Sequence, residues 1–468
     1  MNTLGPFFEP KGIALIGASK SPGFGYGIPI KLKKQGWGDK LYLVNRSGGE
    51  IHQMPVYKTL QDIPGPVDLA IAIVPAHAVP DMLSEIGEHG IRHIIIESAG
   101  FSEAGQGGRD LQQKAKEVAE EYGIRVIGPN CVGVVNTENG FTSVEVIEES
   151  LSPGNIGIIA QSGAFGNVLL DGMPQRGLSV SKAVTLGNRL DVNESDVLEY
   201  LHQDPKTDVV IMYLEGIADG SRFRETVSRV TQDKPVLILK SGRTSAGKAA
   251  TASHTGSMSG VDALYDAMFA QTGAIRADTL EELIELARVF SSQPLPKGPR
   301  LGVVTSSGSM GALATDMAVS LGLNLPAVSQ ATIDRVMDGA PSWMNIKNPL
   351  DVGPSRQFAS AISSLLVDDK IDMVLAITVI PFSVVRMLKP MGLRADSWFG
   401  NIAEIRETAP AKPLVVCSVG HRQFIDNMSE IAGEKVPVID TPEMAAKALG
   451  VLWQYSKWKA GIDPSHSI

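Results

Sequence analysis

Short continuous runs of Ile, Val and Leu alternate with longer helix-forming stretches along most of the chain, and this rhythm constrains the fold more than any other feature. The first series is Gly12–Gly17, Lys40–Val44, Leu69–Val74, His93–Glu97 and Arg125–Ile127. A run that is apolar at every position must be covered on both faces. Helices between successive strands supply that cover and make the strands parallel. Asp110–Tyr122, DLQQKAKEVAEEY, is the clearest of these helices. The first series ends in the acidic, irregular stretch Asn139–Glu149. A second runs through Gly154–Ala160, Lys182–Leu186, Val209–Leu214 and Val236–Lys240 to a helical tail at Leu280–Ser292. The linker Gln293–Pro299, QPLPKGP, follows, its prolines resisting regular structure. A third series comprises Arg300–Ser306, Met373–Thr378, Pro413–Ser418 and Val436–Ile439, and the tail Ser456–Ile468 loses all periodicity.

With 468 residues the chain is too long for one core, and three α/β units of ordinary size account for it. Their expected bounds are 1–145, 150–292 and 299–460. Gly157-Ile-Ile-Ala-Gln-Ser-Gly-Ala-Phe-Gly echoes Gly302-Val-Val-Thr-Ser-Ser-Gly-Ser-Met-Gly in spacing and chemistry. The second and third units therefore read as two flavodoxin-like doubly wound domains behind a Rossmann-like one. A net charge of −9 offers no basic surface for nucleic acid or an acidic membrane. Cys131 and Cys417 lie far apart with no CxxC pair, so neither a disulfide framework nor a thiolate metal site is expected, and a reducing cytoplasm is. The start, MNTLGPFFEPKG, lacks the features of a signal peptide. The longest apolar runs are strand-sized, well short of the roughly 20 residues of a membrane span.

The turn after the first strand, GASKSPGFGYG from Gly17 to Gly27, combines tight-turn glycines with amides free to hold phosphate oxygens. An NAD site would want an acidic residue at the end of the second strand, but Leu43-Val44-Asn45-Arg46 stands there. The positive charge suits a ligand with extra phosphates, NADP or CoA. Val74-Pro75, Glu97-Ser98-Ala99-Gly100-Phe101 and Gly128-Pro129-Asn130-Cys131 follow later strands and face the same edge, where open parallel sheets bind ligands. Cys131, with no base in view, reads as packing rather than as a nucleophile.

His254 sits among Ala, Ser, Thr and Gly in Ser253-His254-Thr255-Gly256-Ser257, which reads as an exposed small-residue loop. An imidazole there can accept a phosphoryl group on a ring nitrogen. Glu215, at the end of Val209–Leu214, is placed to orient it. Ser162-Gly163 and Ser307-Gly308 each open a helix whose N-terminus can stabilise a phosphate. His77, His89, His93, His202 and His421 have no ligand spacing, so no metal site is expected.

Together these segments resemble the α subunit of ADP-forming acetyl-CoA synthetases, NDP-forming acyl-CoA synthetases related to succinyl-CoA synthetase. The likeness covers nearly the whole chain, through GASKSPGFGYG, ESAGFSE at Glu97–Glu103, IGPNCVGVVN at Ile127–Asn136, IAQSGAFG, TLGNRLDVNESDVLEYL, YLEGI and KSGRTSAGKAATASHTGS. The last motif is the most specific, because the family's phosphorylated histidine falls on His254 and its partner glutamate on Glu215. The resemblance implies a CoA-binding first unit, a ligase second unit with the phosphohistidine, and a ligase-like third. It maps CoA contacts onto Ser19, Gly23, Phe24 and Gly25, onto Asn45 and Arg46, and onto Glu97, Ser98, Ala99 and Gly100; Gly17, Pro75 and Asn130 share that edge. The implied reaction is acyl-CoA + ADP + phosphate ⇌ acid + CoA + ATP. ADP, ATP and Mg²⁺ would enter through an ATP-grasp β subunit on a separate chain, in an α₂β₂ assembly or around an α–α dimer, because the third unit lacks the Lys and acidic ligands of such a nucleotide site.

Two departures stand out. Asn45-Arg46 replaces the Asn-Pro usual in relatives, and Phe165, Gly166 and Asn167 differ from the succinyl enzyme's pattern, which argues against succinate. The rival readings are a non-catalytic CoA-binding or CoA-sensing protein and an NADP-dependent oxidoreductase. The presence of both His254 and Glu215 argues against the first.

Overall fold

The computed structural model describes residues 4–462 except 22, 24, 146–150, 256–260, 342–343, 354, 356, 380–382, 384–385, 388–389 and 391–398, with the side chains of 252–255 and 345 also outside the description. The chain forms two compact units, Met1–Thr279 and Leu280–Ile468.

Two seven-stranded sheets make up the first unit. One contains β1 (Ile13–Ile16), β2 (Leu41–Val44), β3 (Gly49–Ile51), β4 (Met54–Tyr57), β5 (Leu69–Ala72), β6 (His93–Ile96) and β7 (Arg125–Ile127), ordered β3-β4-β2-β1-β5-β6-β7. All pairs are parallel except the β3–β4 hairpin. The chain enters at β1, moves out to β2 and returns to β5 on the other side. The crevice where strand order reverses therefore opens at the C-terminal end of β1, directly above Gly17. β1 and β5 are buried almost throughout, as their unbroken apolar runs require.

The second sheet contains β8 (Val134–Asn136), β9 (Phe141–Thr142), β10 (Ile156–Ala160), β11 (Val180–Thr185), β12 (Val209–Leu214), β13 (Val236–Lys240) and β14 (Ile275–Ala277), ordered β14-β13-β12-β10-β11-β8-β9. The sequence assigns residues up to 145 to the first unit, but β8 runs antiparallel to β11 and carries β9 with it into this second sheet. A hydrophobic cluster containing Phe8, Ile127, Val134, Ile159, Val184 and Leu198 ties the two sheets into one core. Phe8 stacks on Tyr200 with ring centroids 4.5 Å apart, and the Asn136 amide donates to its carbonyl at 3.2 Å.

A buried ion pair braces this sheet. Lys182 Nζ donates to Asp204 Oδ2 at 2.9 Å, with side-chain exposures of 2% and 8%. Burial raises the Asp204 carboxyl, but Lys182 and the Thr207 hydroxyl outweigh it and hold it below the usual carboxylate range. A depressed folded value stabilises above the unfolded value of about 3.9, and this contribution is lost as pH falls through the folded value. Asp204→Asn leaves Lys182 charged and unpaired, and should reduce unfolding free energy by about 3 kcal/mol at pH 7. The deficit should shrink below about pH 4. Urea melts at the two pH values check both statements; equal midpoints at pH 7 would refute them.

The second unit holds a six-stranded sheet of β15 (Leu301–Thr305), β16 (Asn345–Ile346), β17 (Leu350–Asp351), β18 (Met373–Val379), β19 (Leu414–Val419) and β20 (Val438–Ile439), ordered β16-β17-β15-β18-β19-β20. The helix Leu280–Ser292, which the sequence reads as the tail of the second series, packs here against the helix Pro442–Lys459. Glu282 pairs with Lys447 at 2.8 Å, and Phe290 meets Tyr455 edge-on at 5.6 Å. The C-terminal helix is regular as far as Lys459, beyond the point where the sequence loses its periodicity. Gln293–Pro299 is irregular as expected, yet Gln293 is anchored: its amide donates to the Lys435 carbonyl at 2.6 Å and its oxygen accepts from Leu414 N–H at 2.8 Å. No helix among the described residues is long and apolar enough to cross a membrane.

Candidate active site

The glycine turn sits at the switch point of the first sheet. Gly17 adopts φ +92°, and a Cβ there would lie 2.1 Å from the Ile73 carbonyl oxygen, so no other residue fits. Ser19 Oγ accepts from Ser21 N–H at 3.1 Å, and open space surrounds Gly23. Phe24 lies outside the described residues. Asn45 turns its amide onto the Ala18 carbonyl at 2.8 Å, tying the end of β2 to the turn, while Arg46 is exposed beside it. Ser98 Oγ accepts from Val74 N–H at 3.1 Å, and its carbonyl accepts from Asn130 N–H at 2.9 Å. Pro75 and Ala99 are exposed, and Gly100 abuts the Ala76 methyl. These described residues lie in the turns that follow β1, β2, β5, β6 and β7.

Glu97 closes the floor. It is buried, its Oε1 has no hydrogen-bond partner, and burial, followed by the charge of Glu145, pushes its carboxyl well above the usual range. A donor on a bound ligand would satisfy that oxygen. Cys131 lies nearby; burial first and Glu97 second push its thiol up, so it stays un-ionised and serves as packing.

A second turn that opens a helix lies in the same unit. The helix Gly163–Gln175 follows β10, and Ser162 Oγ caps it by accepting from Phe165 N–H at 3.4 Å. Glu215 follows β12, the neighbour of β10, and is buried. Gln161 sets its position: Oε1 accepts from Glu215 N–H at 2.6 Å and Gly216 N–H at 3.1 Å, while Nε2 donates to the Gly216 carbonyl at 2.7 Å. Glu194 steadies Gln161 and accepts from Arg189 at 3.1 Å. Phe165 stacks on Tyr213 at 4.0 Å. Burial raises the Tyr213 hydroxyl, its bond with Ser241 opposes that rise, and contact with Glu215 adds to it. Lys240, at the end of β13, lies over the Tyr265 ring at 4.7 Å, and burial lowers its ammonium against the pull of Asp262 and Glu215.

His254 lies in the last turn of the helix Ser245–Thr255, and its side chain is outside the described residues. The sequence reads a loop here. Alanines at 246, 249, 250 and 252 favour the helix instead, and Thr244 Oγ1 caps its start by accepting from Gly247 N–H at 3.1 Å. The helix runs close to the Ser102–Ala104 turn at the ligand edge of the first sheet. Asn188, after β11, reaches the same turn, donating to Glu103 Oε2 at 2.5 Å and accepting from the Asn130 amide at 3.4 Å.

The link between the two turns is short. Asn130 touches the first edge through Ser98; two residues later Val132 donates to Thr185 Oγ1 at 2.9 Å, and its methyl would lie 3.0 Å from a Cβ on Gly163. Ser307 and Gly308 belong to the second unit and differ in character: Asp351 Oδ2 would lie 2.8 Å from a Cβ on Gly308. A carboxylate beside that helix start repels a phosphate, whereas Gly163 faces hydrocarbon.

Residues 11–137 match the profile of a CoA binding domain and residues 153–290 that of a succinyl-CoA ligase like flavodoxin domain. The α subunit of acetate–CoA ligase (ADP-forming) I of Pyrococcus furiosus is 35% identical over 466 residues, 98% of this chain and 99% of that one. The chain belongs to the family of ADP-forming acetate–CoA ligase α subunits. Acetate–CoA ligase (ADP-forming) II of Archaeoglobus fulgidus is 35% identical over 461 residues, covering 96% of this chain and 66% of its own length, so the chain spans about two thirds of that relative. An acetyl-coenzyme A synthetase of Candidatus Korarchaeum cryptofilum, solved in complex with phosphate and ADP, shares the fold with a TM-score of 0.87 at 28% identity, over 100% of both chains.

Membership in this acid–thiol ligase family bears out the resemblance and the α/β fold of a CoA-binding domain followed by a ligase flavodoxin domain, and leaves the NADP-dependent oxidoreductase without support. Sequence reasoning about this α subunit overlooks Gln161, Arg189, Glu194 and Asn188. Gln161 stands inside the quoted IAQSGAFG motif, and the others inside TLGNRLDVNESDVLEYL, so the motifs held the signal without the roles.

Proposed function

We propose that this chain is the CoA-binding, phosphohistidine-carrying subunit of an acyl-CoA synthetase that interconverts acyl-CoA, ADP and phosphate with acid, CoA and ATP. A phosphate oxygen attacks the thioester carbonyl, the C–S bond breaks, and the CoA sulfur leaves and takes up a proton. The resulting acyl phosphate meets His254, whose ring nitrogen attacks phosphorus and releases the carboxylate. An ADP phosphate oxygen then attacks phosphorus, the P–N bond breaks to free the imidazole, and ATP forms at an ATP-grasp β subunit on a separate chain, which would also bring Mg²⁺.

The roles divide by edge. Gly17, Ser19, Gly23, Phe24, Gly25, Asn45, Arg46, Pro75, Glu97, Ser98, Ala99, Gly100 and Asn130 hold CoA. Ser162 and Gly163 offer the helix start to the phosphate, and Glu215 selects and aims the His254 tautomer. Ser307 and Gly308 are the weaker phosphate candidates because of Asp351. The proposed functional domains keep the bounds 1–145, 150–292 and 299–460, although β8 and β9 pair into the second sheet and Leu280–Ser292 packs in the second unit, and the proposed assembly is α₂β₂ or built around an α–α dimer. The observation that best supports this reading is the Asn130–Val132 segment, which joins the CoA edge to the capped helix start within one unit.

The test is covalent labelling. Incubation with acyl-CoA and labelled phosphate, or with labelled ATP and the β subunit, should leave an acid-labile, base-stable phosphate on His254. A chain that binds CoA yet stays unlabelled in both mixtures is a CoA-binding or CoA-sensing protein instead.

A further inference from the structure

The glycine turn holds an anion that the chain itself supplies. Gly25 N–H donates to Glu145 Oε2 at 2.6 Å and Gly27 N–H donates to Glu145 Oε1 at 2.7 Å, so each carboxylate oxygen takes one backbone amide. Both bonds are short, as charge-assisted bonds are. Two backbone amides converging on one oxyanion form the kind of nest that accepts phosphate elsewhere. Gly27 makes room for the approach, since a Cβ there would lie 3.1 Å from Glu145 Cγ. Glu145 is no part of the turn: 120 residues separate it from Gly25, and it follows β9, which belongs to the second sheet. It also lies close enough to Glu97 for its charge to add to the effect of burial there, so its position places two carboxyl groups near each other.

We propose that Glu145 is an internal competitor for the phosphates of CoA and thereby sets the affinity of the CoA site. The proposal rests on the reading of the glycine turn as the CoA phosphate site. An amide N–H that donates at 2.6 Å to a carboxylate has no second bond of that strength for a phosphate. CoA must therefore displace Glu145, and the cost of breaking two charge-assisted bonds is subtracted from its binding. When CoA leaves, the carboxylate refills the nest and opposes rebinding.

Calorimetric titration of CoA into the full-length chain, wild type against Glu145→Gln and Glu145→Ala, decides the matter. Removing the charge should tighten CoA about tenfold in both variants. Pantetheine, which has no phosphate, should bind all three proteins alike. An unchanged or weaker CoA affinity in both variants would show that Glu145 braces the turn and would overturn the competition. If wild type and both variants fail to bind CoA at all, the CoA reading of the turn falls, and the competition with it.

Discussion

His254→Asn should cut ATP formation from acyl-CoA, ADP and phosphate by at least about 10⁴-fold, with CoA affinity within about twofold of wild type. The amide nitrogen of Asn has its lone pair delocalised into the carbonyl and cannot take a phosphoryl group. Nothing else in the helix Ser245–Thr255 can replace the lost nucleophile, because its remaining side chains are hydroxyls, methyls and one lysine. The proposed CoA edge is built from β1, β2, β5, β6, β7 and the turns after them, and includes no residue of that helix. A second readout separates loss of the carrier from general damage. In the proposed sequence, attack of phosphate on the thioester precedes the histidine, so hydroxylamine added to the variant with acyl-CoA and phosphate should still trap acyl hydroxamate. Turnover above one hundredth of wild type would remove His254 from the reaction.

Glu215→Gln should slow phosphorylation of His254 about 100-fold and leave the KM for CoA unchanged. The neutral amide keeps the size of the side chain but loses the charge that favours imidazolium, and one of its two ends now donates where both accepted. The fold should survive, since Gln161 grips the backbone N–H of Glu215 and not its side chain. Because the change removes the charge proposed to face the His254 imidazole, it should also move the acid limb of the pH–rate profile, which a purely structural defect would not do. Equal phosphorylation rates in rapid-quench experiments would assign the residue to packing.

The strands that build both ligand edges were legible because a doubly covered strand must be apolar at every position. That demand writes Ile13–Ile16, Val209–Leu214 and Met373–Val379 into the chain directly. The turns after them were legible for a related reason: Gly17 and Ser162-Gly163 hold conformations or caps that few residue types provide. Less of the connections could be read. Val134–Asn136 falls inside the bounds 1–145 read for the first unit, and nothing local reveals that β11 is its partner. Leu280–Ser292 is an amphipathic helix wherever it packs, and its company with Tyr455 and Lys447 depends on the C-terminal helix. Ser245–Thr255 looked like a loop because hydroxyls and glycine outweigh alanine to the eye, although alanine and a threonine cap suffice for a helix.

Sequence alone determined the layered α/β class, the ligand-binding ends of the sheets and the chemistry in reach of them, since these follow from side-chain hydrophobicity, backbone torsion and residue type, all local properties. Tertiary structure alone decided which carboxylate faces which amide. Glu145 lies 120 residues from Gly25 and Gln161 lies 54 from Glu215, and no pattern of neighbours in the chain announces either pair. A hydrogen bond depends on separations of about 3 Å in space, and distance along the chain carries almost no information about them.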